Sequence, residues 1–210
     1  MVILNSFFFG FAAALVGIIP PGLLNMTAAK VNLREGIRHA VAFVFGALLV
    51  IALQVSLAIF FARVINGRPD LVVLLREIGF VVFSVLTIYF LVIAKKPKIK
   101  EPGLQLNSKK SRFFLGVLLS GLNLFPIPYY VFISITLASY HLMTFGSDCV
   151  SVFVSGVVLG SLVGFYGYIK FFKKMESKTD ALLGNMNIII GSITGLVAVL
   201  ALLNIIQYYW

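Results

Sequence analysis

Long apolar runs constrain the fold of this chain more than any other feature of its sequence. Several of them exceed about 20 residues, the length at which an α-helix crosses the hydrocarbon core of a membrane. Of the 210 residues, 60% are hydrophobic. The runs lack the two-residue alternation that marks a strand of a transmembrane barrel. The sequence therefore predicts an all-α, polytopic membrane protein.

The apolar runs predict six transmembrane helices, at about residues 3–31, 40–62, 71–94, 113–140, 148–171 and 185–207. The first and fourth runs are too long for a simple span. An unbroken helix over the first would reach roughly 43 Å, against a hydrocarbon core of about 30 Å. Prolines interrupt both runs, at Pro20-Pro21-Gly22 and between Asn123 and Pro128. Because proline removes a backbone donor and clashes with the preceding turn, each run is predicted to form two half-helices.

Breaks of this kind point to a transport site, because lipid offers no partner to the freed backbone groups. They persist only where they are buried in protein or line a wet cavity. Carbonyl groups near Ile18, Ile19 and Pro20 are suited to an ammonium group or another cation, and the half-helix that follows presents free amides to a carboxylate. The alternative is an ordinary proline kink, whose polar neighbours satisfy the stray backbone groups. The predicted substrate-binding and translocation residues are Pro20, Pro21, Gly22, Asn25, Thr27, Asn123, Pro126 and Pro128.

The two breaks occupy matching positions in the two halves of the chain. Residues 1–94 form the first predicted three-helix repeat, residues 95–112 a basic cytoplasmic linker, and residues 113–210 the second repeat, all within one transmembrane domain. Since three spans reverse the direction of the chain, the two repeats are predicted to lie inverted in the membrane. Inverted repeats with broken helices are a recurring plan of transporters.

Charge predicts the orientation of the chain. It carries 17 Lys and Arg against 7 Asp and Glu, a formal net charge of +10. Most of the basic residues follow spans 1, 3 and 5, which places these loops in the cytoplasm and both termini outside it. Basic charge confined to short loops favours anionic lipid headgroups as partners over nucleic acid. The apolar N-terminus lacks a positive n-region and is interpreted as a retained first span.

Enzyme chemistry has no signature here. The sequence contains no HExxH, GxSxG or Walker motif, so no enzyme activity, cofactor or metal is predicted. Cys149 is the only cysteine, which excludes an internal disulfide. No acidic residue falls at predicted mid-membrane depth, so a carboxylate proton relay is not expected.

Gln54 is expected to bond to a neighbouring helix or to substrate. A glycine stripe with four-residue spacing is expected to pack helices closely: Gly156, Gly160 and Gly164.

Several short motifs together resemble the LysE-type amino-acid exporters. They are Pro21-Gly22 followed by Asn25, the turn Asn32-Leu33-Arg34-Glu35-Gly36, Gly46 in the second span, the basic central loop and the break from Asn123 to Pro128. The chain departs from the family pattern in three places. Leu23 stands where the first motif usually has a second proline, Leu124 and Phe125 separate Asn123 from Pro126, and no acidic residue follows Gly46 closely.

The resemblance implies a bacterial exporter in the cytoplasmic (inner) membrane, with the two broken helices forming its pathway. The leading hypothesis is a secondary transporter that exports amino acids or related small metabolites by alternating access. The alternative is a non-transporting membrane scaffold or accessory subunit whose glycine stripe docks a partner. The sequence leaves open the substrate, the coupling ion, the direction of transport and whether the protein is a homo-oligomer.

Overall fold

A computed structural model describes residues 2–19, 22–66, 68–94, 108–174 and 186–210. These residues form helices joined by short connections, with no strand among them. The helices are α1 Val2–Ile18, α2 Leu23–Glu35, α3 Ile37–Asn66, α4 Pro69–Ile88 with a π-helical segment Tyr89–Ile93, α5 Lys109–Leu122, α6 Pro126–Ser139, α7 Ser147–Lys174 and α8 Met186–Tyr209. The all-α prediction is confirmed.

Two of the long apolar runs are indeed broken. The axes of α1 and α2 differ by 77°, and those of α5 and α6 differ by 63°. In the described part of the chain, α3 and α7 are each long and apolar enough to cross a membrane alone, and the number of spans rises to 4 if each bent pair counts as one. The prediction of six spans stays a prediction.

Two helices extend beyond the predicted spans. Helix α2 continues to Glu35 and ends at Gly36, whose positive φ of 86° favours glycine. Arg34, which the sequence placed in a turn after the first span, therefore lies in a helix. Helix α5 begins at Lys109, so the end of the predicted linker is helical. The reason is local, because the Ser108 hydroxyl accepts a hydrogen bond from the Ser111 amide at 3.1 Å and caps the helix. Residues 95–107 of the linker lie outside the described residues.

The chain divides into two compact units, Met1–Arg63 with Pro102–Glu176, and Val64–Glu101 with Ser177–Trp210. The first unit contains both broken helix pairs, α7 and nearly all of α3. The second contains α4, the π-helical segment and α8. Each unit thus draws helices from both predicted repeats, and the division into repeats stays a prediction.

In the first unit, four Phe-x-x-Gly segments bring helices into backbone contact: Phe7 to Gly10, Phe43 to Gly46, Phe113 to Gly116 and Phe153 to Gly156. A Cβ at Gly10 of α1 would overlap the Phe153 carbonyl of α7, and one at Gly156 would overlap the Phe7 carbonyl. Helices α3 and α5 repeat this reciprocal arrangement, with Gly46 against the Phe113 carbonyl and Gly116 against the Phe43 carbonyl. The absent side chains let the backbones approach closely.

The glycine stripe of α7 packs as predicted. Gly156 contacts the Phe7 carbonyl, Gly160 the Phe11 carbonyl and Gly164 the Ile18 side chain. Because the contacts ascend together along both chains, α1 and α7 run parallel. The stripe is therefore covered by this chain's own first helix.

The second unit is held by contacts between α8 and the α4 segment. A Cβ at Gly191 would come within 2.5 Å of the Leu91 side chain, and one at Gly195 within 3.3 Å of the Thr87 side chain. The Thr87 hydroxyl also donates to the Thr194 hydroxyl at 3.0 Å. Small residues thus allow close packing here, as expected for membrane helices.

Candidate transport site at the two helix breaks

At the first break, side chains bond the carbonyls that end α1. The Asn25 amide donates from Nδ2 to the Ile18 carbonyl at 2.9 Å, and the Tyr168 hydroxyl of α7 donates to the Ile19 carbonyl at 2.6 Å. The Tyr168 hydroxyl is also hydrogen-bonded to the Asn25 side chain. Pro20 and Pro21 lie outside the described residues. Two of the carbonyls that the sequence suggested for a cation, those of Ile18 and Ile19, thus already accept bonds from this chain.

Tyr129 links the two breaks. It lies one turn after Pro126, and its ring stacks on Phe125 with centroids 5.9 Å apart. Its hydroxyl donates to the Ala13 carbonyl of α1 at 2.8 Å, and its ring lies beside Gly17. The helix that follows the second break therefore contacts the helix that precedes the first.

The start of α2 has the chemistry to attract an anion. Gly22 is its N-cap with an extended backbone, and no side chain of the described residues caps it. The first helical bond runs from the Met26 amide to the Gly22 carbonyl at 3.0 Å. Asn25 is buried and Thr27 is half-buried on the next turn. An uncapped helix N-terminus favours a carboxylate or another anion, through its amides and its positive end.

At the second break, Gln54 of α3 bonds the end of α5. Its Nε2 donates to the Ser120 carbonyl at 3.1 Å and to the Asn123 carbonyl at 2.8 Å. A bond to a neighbouring helix is one of the two alternatives that the sequence offered for this residue. Two buried polar side-chain atoms lack a hydrogen-bond partner among the described residues, namely Oε1 of Gln54 and Oγ of Ser134 in α6.

The other predicted residues of the second break occupy different environments. The side chain of Asn123 is exposed, so this residue contributes its carbonyl to the break. Pro126 is half-buried at the first position of α6, where a missing amide costs nothing. Pro128 is exposed. A substrate role for the eight predicted residues stays a prediction.

A buried ion pair joins the ends of two helices in the same unit. Arg112, in the first turn of α5, donates from Nε to Oε2 of Glu35 at 2.6 Å, and a second guanidinium nitrogen pairs with Oε1. The Arg112 side chain is 6% exposed and that of Glu35 is 25% exposed. The pair connects the end of the first broken span to the start of the second.

The sequence prediction missed Tyr168 and the ion pair. Tyr168 was readable as a polar group in an apolar run, but its partner lies 149 residues away in the sequence. Glu35 and Arg112 lie in segments that the sequence assigned to a turn and to the basic linker, where a buried ion pair was not expected. The four Phe-x-x-Gly segments were a signal of matching halves that pattern alone could have found.

Within the described residues, no group of three or more His, Cys, Asp or Glu side chains is placed to hold a metal ion. The groups that converge at the breaks are amides, hydroxyls and backbone carbonyls. Such groups bind and release a polar solute by hydrogen bonds.

Comparison with known proteins identifies the family. No curated protein and no solved structure matched the chain. The family model described as LysE type translocator matches residues 15–205, which include both breaks and every predicted site residue. Translocators move solutes and are not enzymes, and the apolar helices make the chain an integral membrane protein. The chain belongs to the LysE type translocator family.

Proposed function

We propose that this transporter exports amino acids or related small metabolites across the bacterial cytoplasmic membrane. One observation carries the proposal. Both broken spans have ends bonded by neutral polar side chains from the opposite half of the sequence. Tyr168 of the second half bonds the end of α1, and Gln54 of the first half bonds the end of α5. A solute that enters between the halves meets both breaks.

The crossed glycine contacts support two inverted repeats. Gly10 with Phe153 and Gly156 with Phe7 join α1 of the first half to α7 of the second. The equivalent glycines, Gly116 and Gly46, join α5 of the second half to α3 of the first. Corresponding helices thus exchange partners between the two halves, as a two-fold axis in the membrane plane requires. The parallel course of α1 and α7 also fits six spans, in which spans 1 and 5 run in the same direction.

The kind of contact at the breaks supports alternating access. The Tyr129 bond to Ala13 and the Tyr168 bond to Ile19 each join a helix of one half to the other half. A neutral hydrogen bond contributes only about 1 kcal/mol net. Substrate groups can therefore replace such bonds while one half moves against the other. The substrate then binds to both conformations and shifts the balance between them by the difference in its affinity.

The orientation rests on basic charge. Arg34, Arg38, Lys109 and Lys110 are exposed at helix ends that the charge distribution places in the cytoplasm. Both termini then lie outside the cytoplasm. Anionic lipid headgroups are the partners that such a surface favours.

A scaffold role has lost the feature that suggested it. The glycine stripe of α7 was the surface proposed to dock a partner. Its three glycines contact Phe7, Phe11 and Ile18 of this chain. Transport is therefore the better-supported reading of the breaks.

Transport is tested with purified protein in liposomes. Vesicles loaded with one unlabelled amino acid should accumulate its radiolabelled form by counterflow, and a panel of amino acids identifies the solute. Asn25→Ala should reduce this flux strongly, because it removes the amide that bonds the Ile18 carbonyl. In cells preloaded with the radiolabelled amino acid, expression of this protein should speed the loss of the label from the cells.

The matched control is Ser56→Ala. The Ser56 hydroxyl is exposed, and among the described residues it bonds only within its own helix, to the Ala52 carbonyl at 2.8 Å. This variant should transport like wild type. If folded wild-type protein moves no member of a broad metabolite panel, the proposed function is wrong.

A further inference from the structure

The acceptor atom of Gln54 has no donor in the described structure. Both hydrogens of Nε2 are used, on the Ser120 and Asn123 carbonyls. Because both partners are acceptors, the amide cannot be flipped, and the free atom must be the oxygen. Gln54 is 7% exposed, and its Oε1 is buried without a partner. A buried acceptor without a donor is costly, so this site favours an incoming N–H or O–H group.

Nearby side chains do not fill this need. The Ser120 hydroxyl already donates to the Ala47 carbonyl at 3.2 Å. The Asn123 side chain is exposed. The Gln54 side chain is therefore held in place by two bonds, and its acceptor has no donor among the described residues.

The surrounding electrostatics select a cation. Helix α5 ends at Leu122, so the negative end of its dipole lies at the carbonyls that Gln54 bonds. Gln54 adds the negative end of its own amide dipole. Near the middle of α3 these dipoles act in a poorly screened environment, where a positively charged donor gains most. A neutral acceptor also lets the donor leave again, which a buried carboxylate would oppose.

We infer that Gln54 Oε1, at the end of α5, is the acceptor for the primary ammonium group of the transported solute. This inference rests on the proposed function and names the recognised chemical group. Gln54 both holds the second break and reads the amine.

The test compares amines with their des-amino counterparts in detergent-solubilised protein. The probes are L-alanine with propionate, L-leucine with 4-methylpentanoate, L-threonine with 3-hydroxybutyrate, and methylammonium and sodium as chlorides. Calorimetry should show that one amino acid binds about tenfold to a hundredfold more tightly than its des-amino partner, as one charge-assisted hydrogen bond requires. Methylammonium should bind weakly and compete with that amino acid, whereas sodium should not.

Gln54→Met tests the residue itself, because methionine has a similar length and no amide. The preference for the amine should fall to within about threefold, while Ser56→Ala on the same helix keeps the wild-type preference. Retained discrimination in folded Gln54→Met, or equal competition by sodium, would overturn the inference. Wild-type protein that transports solutes without preferring amines would also overturn it and leave the proposed function standing.

Infrared spectroscopy keeps the inference testable if Gln54→Met does not fold. The chain contains only three glutamines, Gln54, Gln105 and Gln207. In wild-type protein with ¹³C-labelled glutamine carbonyls, a free buried C=O band should shift to lower frequency when the preferred amino acid binds. The des-amino acid should leave that band in place. An unchanged band at saturating amino acid refutes the assignment.

Discussion

The Glu35–Arg112 pair yields a prediction whose size follows from its burial. Removing one partner of a fully buried ion pair costs about 3–5 kcal/mol, and an exposed pair contributes at most about 1 kcal/mol. Arg112 is 6% exposed and Glu35 25% exposed, so this pair lies nearer the buried limit. We expect Glu35→Gln or Arg112→Met to lower the free energy of unfolding by about 2–4 kcal/mol, because each strands a partner.

The helix ends make a charge swap informative. Glu35 is the last residue of α2 and Arg112 lies in the first turn of α5, so each charge stands at the helix end that disfavours it. Exchanging them would place a cation at a C-terminus and an anion at an N-terminus, each favourable by about 0.3–1 kcal/mol. Glu35→Arg with Arg112→Glu should therefore recover at least half of the stability lost by either single reversal.

The assay is a double-mutant cycle of unfolding free energies, measured by SDS titration in mixed micelles. The coupling energy between the two positions should be about 1–3 kcal/mol. Because the pair joins the two broken spans, the uncoupled variants should also shift the balance between inward-open and outward-open states, which single-molecule fluorescence between labelled helix ends can detect. A coupling energy below about 0.5 kcal/mol would refute the reasoning.

Three further changes probe the packing and the breaks. Gly116→Ala should destabilise the protein by about 1–3 kcal/mol in SDS titration, because its Cβ would overlap the Phe43 carbonyl, whereas Gly121→Ala, with nothing within 4 Å, should not destabilise it. Equal effects of the two alanines would contradict the packing argument. Tyr168→Phe should lower stability by only about 1 kcal/mol yet reduce counterflow several-fold, since it frees the Ile19 carbonyl. Unchanged flux would show that this bond takes no part in transport. Thr194→Val should cost about 0.5–1 kcal/mol through loss of the Thr87 bond and leave transport near wild type; a large loss of flux would assign the second unit a direct part in transport.

The helix breaks were predictable because their cause is local. Pro126 has no backbone N–H to donate to a carbonyl of α5, so a new helix, α6, begins there. The prolines between Asn123 and Pro128 therefore predict the break from the sequence alone. Asn25 and Ile18 are only seven residues apart in the sequence. Their hydrogen bond is of the expected kind, in which a nearby polar side chain bonds a backbone carbonyl freed by a proline kink. Helix boundaries at Gly36 and Ser108 were missed because the basic residues around them favoured a loop reading.

The partners of the breaks were not predictable in the same way. Gln54 meets Asn123 across 69 residues, and Tyr168 meets Ile19 across 149. Many polar groups along the apolar runs could serve a free carbonyl. The side chain that bonds a given carbonyl is set by which helices pack together. Helix packing in turn depends on where glycines allow two backbones to come into contact.

The amino-acid sequence is enough to predict a helical, membrane-spanning chain with two breaks, because hydropathy and proline act on the nearest turn of the chain. It also contains the four Phe-x-x-Gly segments that mark its two halves. Tertiary packing pairs these segments across the halves, buries Arg112 on Glu35, and leaves Gln54 with one acceptor that has no donor among the described residues. Those outcomes require backbone contacts between distant helices, whose close approach is set by the shapes of both partners together.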